Sequence, residues 1–259
     1  MTAFTVFPAI DIRKGYCVRL RQGRAEAETV YSADPPAVAQ RWQDQGAQWL
    51  HVVNLDGALE EAESWSGPNP AALQSILAAV AVPTQFGGGI RTLATIERLL
   101  GMGIARVILG TVAVAEKSAD FPRSEPGLVA EAVQRFGADR VLVSLDTRDG
   151  LVATHGWVTA SGIQATALGR ELRQAGLCTV VHTDISRDGM LSGANLASSL
   201  ALSRETGLEV IVSGGVAGLA DIADAARHRS DGIAGIIIGQ ALYTGAVDLP
   251  EALRTAAQT

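Results

Sequence analysis

The sequence predicts an α/β protein, a (β/α)8 TIM barrel with a two-fold half-barrel repeat. Three observations point there. Short apolar, β-branched runs alternate with stretches of helical spacing along the whole chain, and near-continuous apolar strands indicate a parallel sheet covered on both faces. Eight such units in 259 residues match the size of a (β/α)8 barrel. The third observation is an internal repeat. Phe86-Gly87-Gly88-Gly89-Ile90-Arg91, followed by Val107-Ile108-Leu109-Gly110-Thr111, returns as Val210-Ile211-Val212-Ser213-Gly214-Gly215-Val216 and Ile236-Ile237-Ile238-Gly239-Gln240, 126 to 129 residues later. A doubly wound open sheet accommodates the alternation but not the repeat. No long Ser- or Gly-rich linker divides the chain, so residues 1–259 are expected to form one barrel domain with halves of roughly 1–125 and 126–259.

Taken in order, the strands are expected at residues 5–10, 49–55, 83–86, 106–109, 140–145, 178–182, 209–212 and 235–238. The helices between and after them are expected at 36–45, 69–80, 93–100, 127–136, 163–174, 195–205, 219–227 and 249–256. Asp34 before Pro35 is an N-cap followed by proline at the first helical position. Residues 16–20 look like a short extra strand and 22–33 like a polar loop. Longer connections follow at 57–67, 115–126, 147–162 and 185–193. The first of these carries three glutamates and has the length of a mobile lid.

Composition narrows the function. Hydrophobic residues make up 47%, enough for a sizeable core, and the net charge of −6 argues against non-specific nucleic-acid binding. The first apolar run, 4–10, is too short for a signal peptide or a membrane span. Cys17 and Cys178 have neither metal nor redox spacing and fit a reducing cytoplasm. No His, Cys or carboxylate spacing resembles a metal site, and there is neither a dinucleotide fingerprint nor a P-loop. Ser144 and Ser213 lack the context of a nucleophile elbow.

The chemistry is expected where strands end, since a barrel keeps its active site at the strands' C-terminal face. Glycines there let backbone N–H groups approach a ligand, and a helix starting just beyond attracts an anion. Two such pairs in register suggest a ligand with a phosphate at each end. Asp11 and Asp146 close the first and fifth strands, 135 residues apart, on opposite sides of an eight-stranded ring. Facing carboxylates suit acid–base chemistry, one taking a proton while the other gives one. Asp56 and Asp184 form a second echo, 128 residues apart. His51 and His182, one residue out of register, read as buried, hydrogen-bonded histidines. Trp157 in a polar loop could stack on a flat ring. Arg19 and Arg91 are cations available to an anionic ligand.

Several of these stretches, in order, resemble one known family. Pro8-Ala9-Ile10-Asp11, Phe86-Gly87-Gly88-Gly89-Ile90-Arg91, Gly156-Trp157, Thr183-Asp184-Ile185-Ser186-Arg187-Asp188-Gly189, Ser213-Gly214-Gly215-Val216 and Gly239-Gln240-Ala241-Leu242-Tyr243 are similar to the ProFAR isomerases of histidine biosynthesis, over nearly the whole chain. The resemblance implies an Amadori rearrangement, an aldose-to-ketose isomerisation of a bis-phosphorylated ribotide, with no cofactor or metal. It implies Asp11 as general base and Asp146 as general acid, with Thr183 and Asp188 helping to hold the substrate. Gly88, Gly89, Arg91, Gly110 and Thr111 match one phosphate site; Gly214, Gly215, Gly239 and Gln240 match the other. Trp157 matches a residue that stacks on the imidazole carboxamide. The expected partner is the small-molecule ribotide alone, with no nucleic acid and no membrane, in a cytoplasmic monomer. Residues 117–126 fit no motif of the family, and Met190 and Ala194 stand where Thr and Pro are common. Three alternatives stay open: the related cyclase subunit of imidazole glycerol phosphate synthase, a bifunctional isomerase also acting on phosphoribosylanthranilate, and a non-catalytic phosphosugar-binding barrel.

Overall fold

The computed structural model describes residues 4–59, 67–115, 127–154, 157 and 159–259. The first half contains β1 (Thr5–Arg13), β2 (Tyr16–Arg21), β3 (Arg24–Ser32), α1 (Pro35–Asp44), β4 (Leu50–Asn54), α2 (Leu55–Ala58), α3 (Asn69–Ala79), β5 (Thr84–Gly87), α4 (Leu93–Gly101), β6 (Arg106–Leu109) and α5 (Val112–Ala115). The second contains α6 (Leu128–Phe136), β7 (Val141–Arg148), β8 (Leu151–Thr154), β9 (Thr159–Gln164), α7 (Ala165–Gln174), β10 (Thr179–Asp184), α8 (Leu196–Thr206), β11 (Glu209–Ser213), α9 (Leu219–Arg227), β12 (Ile233–Ile238), α10 (Gln240–Tyr243) and α11 (Leu249–Ala257).

Eight of these strands form a closed parallel ring, β1–β4–β5–β6–β7–β10–β11–β12 and back to β1. With helices between its strands this is the expected (β/α)8 TIM barrel. Strand alternation splits the core in two. Phe7, Ala9, Ile108, Leu142, Val181, Ile211 and Ile237 face inward and fill the barrel. Residues such as Ile10, Val52, Phe86, Val107 and Val143 face outward and pack with Trp42, Leu73, Leu99 and Leu168 from the helices. At the strands' N-terminal end the Arg106 guanidinium lies 4.5 Å from the Trp49 ring, which packs against Phe7 at 6.0 Å. The lower end of the barrel is therefore filled, and the open cavity lies at the other end.

Two expectations are corrected. Residues 22–33 are not a loop: most of them form β3, which pairs antiparallel with β2. The connection after the fifth barrel strand likewise holds β8 and β9, an antiparallel pair continuing from β7. Each hairpin lengthens its parent strand. Asp11 pairs with Val18 across β1–β2, and Thr147 pairs with Val152 across β7–β8. Consequently β1 and β7 run two residues beyond Asp11 and Asp146, which sit inside strands rather than at their ends. The expected lid and the 115–126 connection fall largely outside the described residues, as do His155 and Gly156.

Caps set the helices as the sequence implies. The Asp34 carboxylate accepts the Ala37 N–H at 3.1 Å and starts α1. Asn69 does more than start α3. Its amide donates to Ile12 O at 3.0 Å and Asn54 Oδ1 at 2.7 Å, and its Oδ1 accepts the Gly15 N–H at 2.8 Å. This one buried side chain ties α3 to the ends of β1 and β4. Asn69→Ala should lower the unfolding free energy by about 2–4 kcal/mol, because it leaves buried partners unsatisfied. Urea denaturation checks this, and a loss under about 0.5 kcal/mol would contradict it.

Candidate active site

A cavity opens at the barrel mouth, with a smaller one beside it. Asp11, Asp146, Thr183, Asp188, Arg19, Gly88, Gly89, Arg91, Gly110, Thr111 and Trp157 all line the larger. Gly214, Gly215, Gly239 and Gln240 line the smaller, which shares Arg19 and Asp188 with its neighbour. All the residues singled out from the sequence for the site are thus brought to one face. Four strand steps around the ring put Asp11 and Asp146 on opposite walls.

Arg19 lies beside Asp11. Its Nη1 donates to Asp11 Oδ2 at 2.5 Å, with both side chains largely buried. Burial pushes the Asp11 carboxyl above its ordinary range, and Arg19 pulls against that. Burial also works against the Arg19 charge, but Asp11, Asp188 and Tyr243 raise its pKa overall. Asp188 is pushed up to about 6, chiefly by burial; Arg19 opposes the shift while the negative Asp11 and Asp146 add to it. Asp146 accepts the Ser144 hydroxyl at 2.8 Å, two residues back on the same face of β7.

Asp184 builds the loop that delivers Asp188. It accepts the Ser186 N–H at 3.0 Å, the Ser186 hydroxyl at 2.5 Å and the Asn195 amide at 2.7 Å. Burial acts against its charge, yet these bonds and Arg187 hold its carboxyl below the ordinary range. The β2–β3 turn leans on the same loop: Gln22 donates to Ser186 O at 3.0 Å and to Asp188 O at 3.3 Å. Trp157 packs against Gly23 at the tip of that turn, so the two hairpins meet over the mouth.

The glycine turns match in detail. Gly88 and Gly89 have φ of +103° and +77°, Gly214 and Gly215 of +87° and +80°. A Cβ on Gly88 would strike the Asn54 backbone, and one on Gly214 the Asp184 backbone 2.8 Å away. Asn54 is thus the counterpart of Asp184; Asp56 lies in α2 and accepts the Lys14 N–H at 3.0 Å. The symmetry extends to the helix starts, where Asn69 bonds Asn54 and Asn195 bonds Asp184. Arg91 donates to Gly57 O at 3.2 Å beside the first turn.

His51 and His182 do different things because one residue of register changes the face. His182 points at α8, with Nδ1 2.8 Å from Ser199 Oγ and Nε2 3.0 Å from Thr147 Oγ1. It is a satisfied buried histidine, as expected. His51 faces inward and lines the cavity, as do Ser144 and Ser213. His51 is buried and hydrogen-bonded as expected, but sequence reasoning gave none of the three a place in the cavity; the signal was their odd–even phase along the strand. No group of three or more His, Cys, Asp or Glu among the described residues could hold a metal.

Gly239 fits the site for a reason separate from backbone conformation. A Cβ there would occupy the space of the Arg19 guanidinium. Gly239→Ala should cost about 1–3 kcal/mol in the parent, as an overpacked site does. In an Arg19→Ala background it should cost under about 0.5 kcal/mol, since coupled neighbours are non-additive. Equal costs in the two backgrounds would contradict the contact.

A family model described as "Histidine biosynthesis protein" matches residues 5–248. A Desulforamulus reducens protein is 49% identical over 248 residues, 96% of this chain and 95% of its own length. Proteins of Heliobacterium modesticaldum and Symbiobacterium thermophilum are 47% and 46% identical, covering 97% and 98% of this chain and 97% of each relative. All three are named 1-(5-phosphoribosyl)-5-((5-phosphoribosylamino)methylideneamino)imidazole-4-carboxamide isomerase. The coverage is end to end and the identity high, so this chain belongs to the histidine biosynthesis protein family.

Proposed function

We propose that this protein is the isomerase of histidine biosynthesis that converts the aminoaldose ProFAR into the ketose PRFAR. The observation that carries the reading is the pair of matched glycine turns flanking one mouth that also holds Asp11, Asp146 and Asp188. The turns suit a ligand with two phosphates, and the carboxylates between them suit proton transfer on its sugar. The names of the relatives support the same substrate.

The base is Asp11. Burial raises its pKa and the bond from Arg19 opposes that, and it takes the proton from C2 of the opened sugar. The acid must begin with a proton, which it gives to the ribose ring oxygen so that the ring opens to a Schiff base. The family resemblance gives that role to Asp146. We assign it instead to Asp188, which lines the same cavity as Asp11 and whose carboxyl is pushed up to about 6, chiefly by burial. Asp146, fixed by the Ser144 hydroxyl, receives ligand hydroxyls. Loss of the C2 proton to Asp11 gives the enaminol, which becomes the ketose. The reading needs neither cofactor nor metal and takes the chain as a monomer acting on a small ribotide. Among the described residues no helix is long and apolar enough to cross a membrane.

Turnover of ProFAR, followed by its absorbance change, tests the proposal. The parent should turn over, while Asp11→Asn and Asp188→Asn should each lose about 1,000-fold or more in kcat with ligand binding kept. A parent without turnover would refute the isomerase reading. An Asp188→Asn enzyme within about tenfold of the parent, beside an inactive Asp146→Asn, would return the acid role to Asp146.

A further inference from the structure

The inward-facing His51 has one ring nitrogen committed and one open. Its Nδ1 lies 3.0 Å from Gln85 Nε2 on the neighbouring strand, and Gln85 is fully buried. An amide nitrogen only donates, so with the Gln85 amide in this orientation Nδ1 is the acceptor and the ring proton sits on Nε2. That second nitrogen makes no hydrogen bond to the described residues, yet it is not buried away from solvent. His51 lines the cavity between Asp11 and the first glycine turn, so Nε2 is the polar atom it offers to whatever enters.

We propose that Gln85 is a positioning residue, which fixes His51 as the tautomer with an Nε2–H directed at the ligand. The alternation of β4 and β5 makes this possible. His51 pairs with Gln85 in the parallel register, so both side chains leave the sheet on its inner face. His51 is kept neutral as well: burial, with Arg19 adding to it, pushes its pKa down to about 3. A neutral imidazole donates a hydrogen bond without bringing a second cation beside Arg19. It can polarise a ligand oxygen in a water-poor site, as an imidazole held neutral does in other sugar isomerases. The partner on the far nitrogen decides which proton is available.

The site has no redundant way of fixing this tautomer among the described residues. Gln85 Oε1 has no partner, so the amide's one assigned bond to a side chain is the one to His51. His182 shows the contrast, with a hydroxyl rather than an amide at each ring nitrogen.

The tautomer is read directly by 15N NMR of histidine-labelled protein, with the His51 signals assigned by their loss in His51→Gln. The parent should show an unprotonated Nδ1 and a protonated Nε2. Gln85→Glu, whose carboxylate accepts, should invert the tautomer and lower kcat/KM about 100-fold, mostly in kcat; Gln85→Met should give a mixture and a loss of about tenfold. Thermal melts of both variants establish that they fold, and Gln85→Asn should restore part of the signal. A parent protonated on Nδ1 would overturn the proposal, as would a folded Gln85→Met that keeps both tautomer and turnover. The kinetic arm rests on the isomerase reading, whereas the NMR arm does not. An expected tautomer in a protein without ProFAR turnover would therefore sink that reading and leave this one standing.

Discussion

A single guanidinium, Arg19, sets the electrostatics of the mouth. Three aspartates crowd a largely buried site, and three uncompensated negative charges there would cost several kcal/mol each. Arg19 bonds Asp11 and lowers the cost of charge on Asp188. Its position depends on parts far apart in sequence. β2 carries it back over the mouth because β1 turns at Lys14-Gly15 into a hairpin. Gly239, at the other end of the chain, leaves the room its guanidinium fills. The carboxylates need the cation, the cation needs the hairpin, and the hairpin needs the extension of β1 past Asp11.

The same plan recurs on the opposite wall. β7 also runs past its aspartate into a hairpin, and Asn195 ties its helix start to Asp184 as Asn69 does to Asn54. The cation does not recur: where β2 brings Arg19 to Asp11, Asp146 meets the neutral Ser144 hydroxyl. On our reading this asymmetry sets Asp11, the base, apart from its counterpart Asp146. In the proposed function a two-fold scaffold gives the ligand two anion sites, and the broken symmetry between them gives its two ends different chemistry. On our reading the chain is one barrel of two such halves.

The barrel was legible in the sequence because its strands are apolar runs of the right length, and the glycine turns because their spacing repeats. The hairpins were not. β3, Arg-Ala-Glu-Ala-Glu-Thr-Val-Tyr-Ser, is mostly exposed and polar, and it is a strand only because β2 pairs with it. Without that partner the segment has the composition of a loop. Asp11 and Asp146 were placed at strand ends for the same reason, since the extensions depend on pairing the sequence does not display. Asp56 looked like the mate of Asp184 by count, but it lies two positions past the strand end, in α2, and Asn54 holds the equivalent place. His51 and His182 differ by register alone, and their opposite directions follow from strand phase once both strands are placed. The raised pKa of Asp188 depends on burial and on charges from three other elements, which no local pattern encodes.

The central claim is that Arg19 governs protonation across the mouth. The most direct test is a 13C NMR titration of the aspartate carboxyls in the parent and in Arg19→Met. The account predicts that Asp188 titrates near 6 in the parent and that both Asp188 and Asp11 move to higher pH without the guanidinium. An Asp188 in the ordinary carboxylate range, or two carboxyls indifferent to the loss of Arg19, would contradict it.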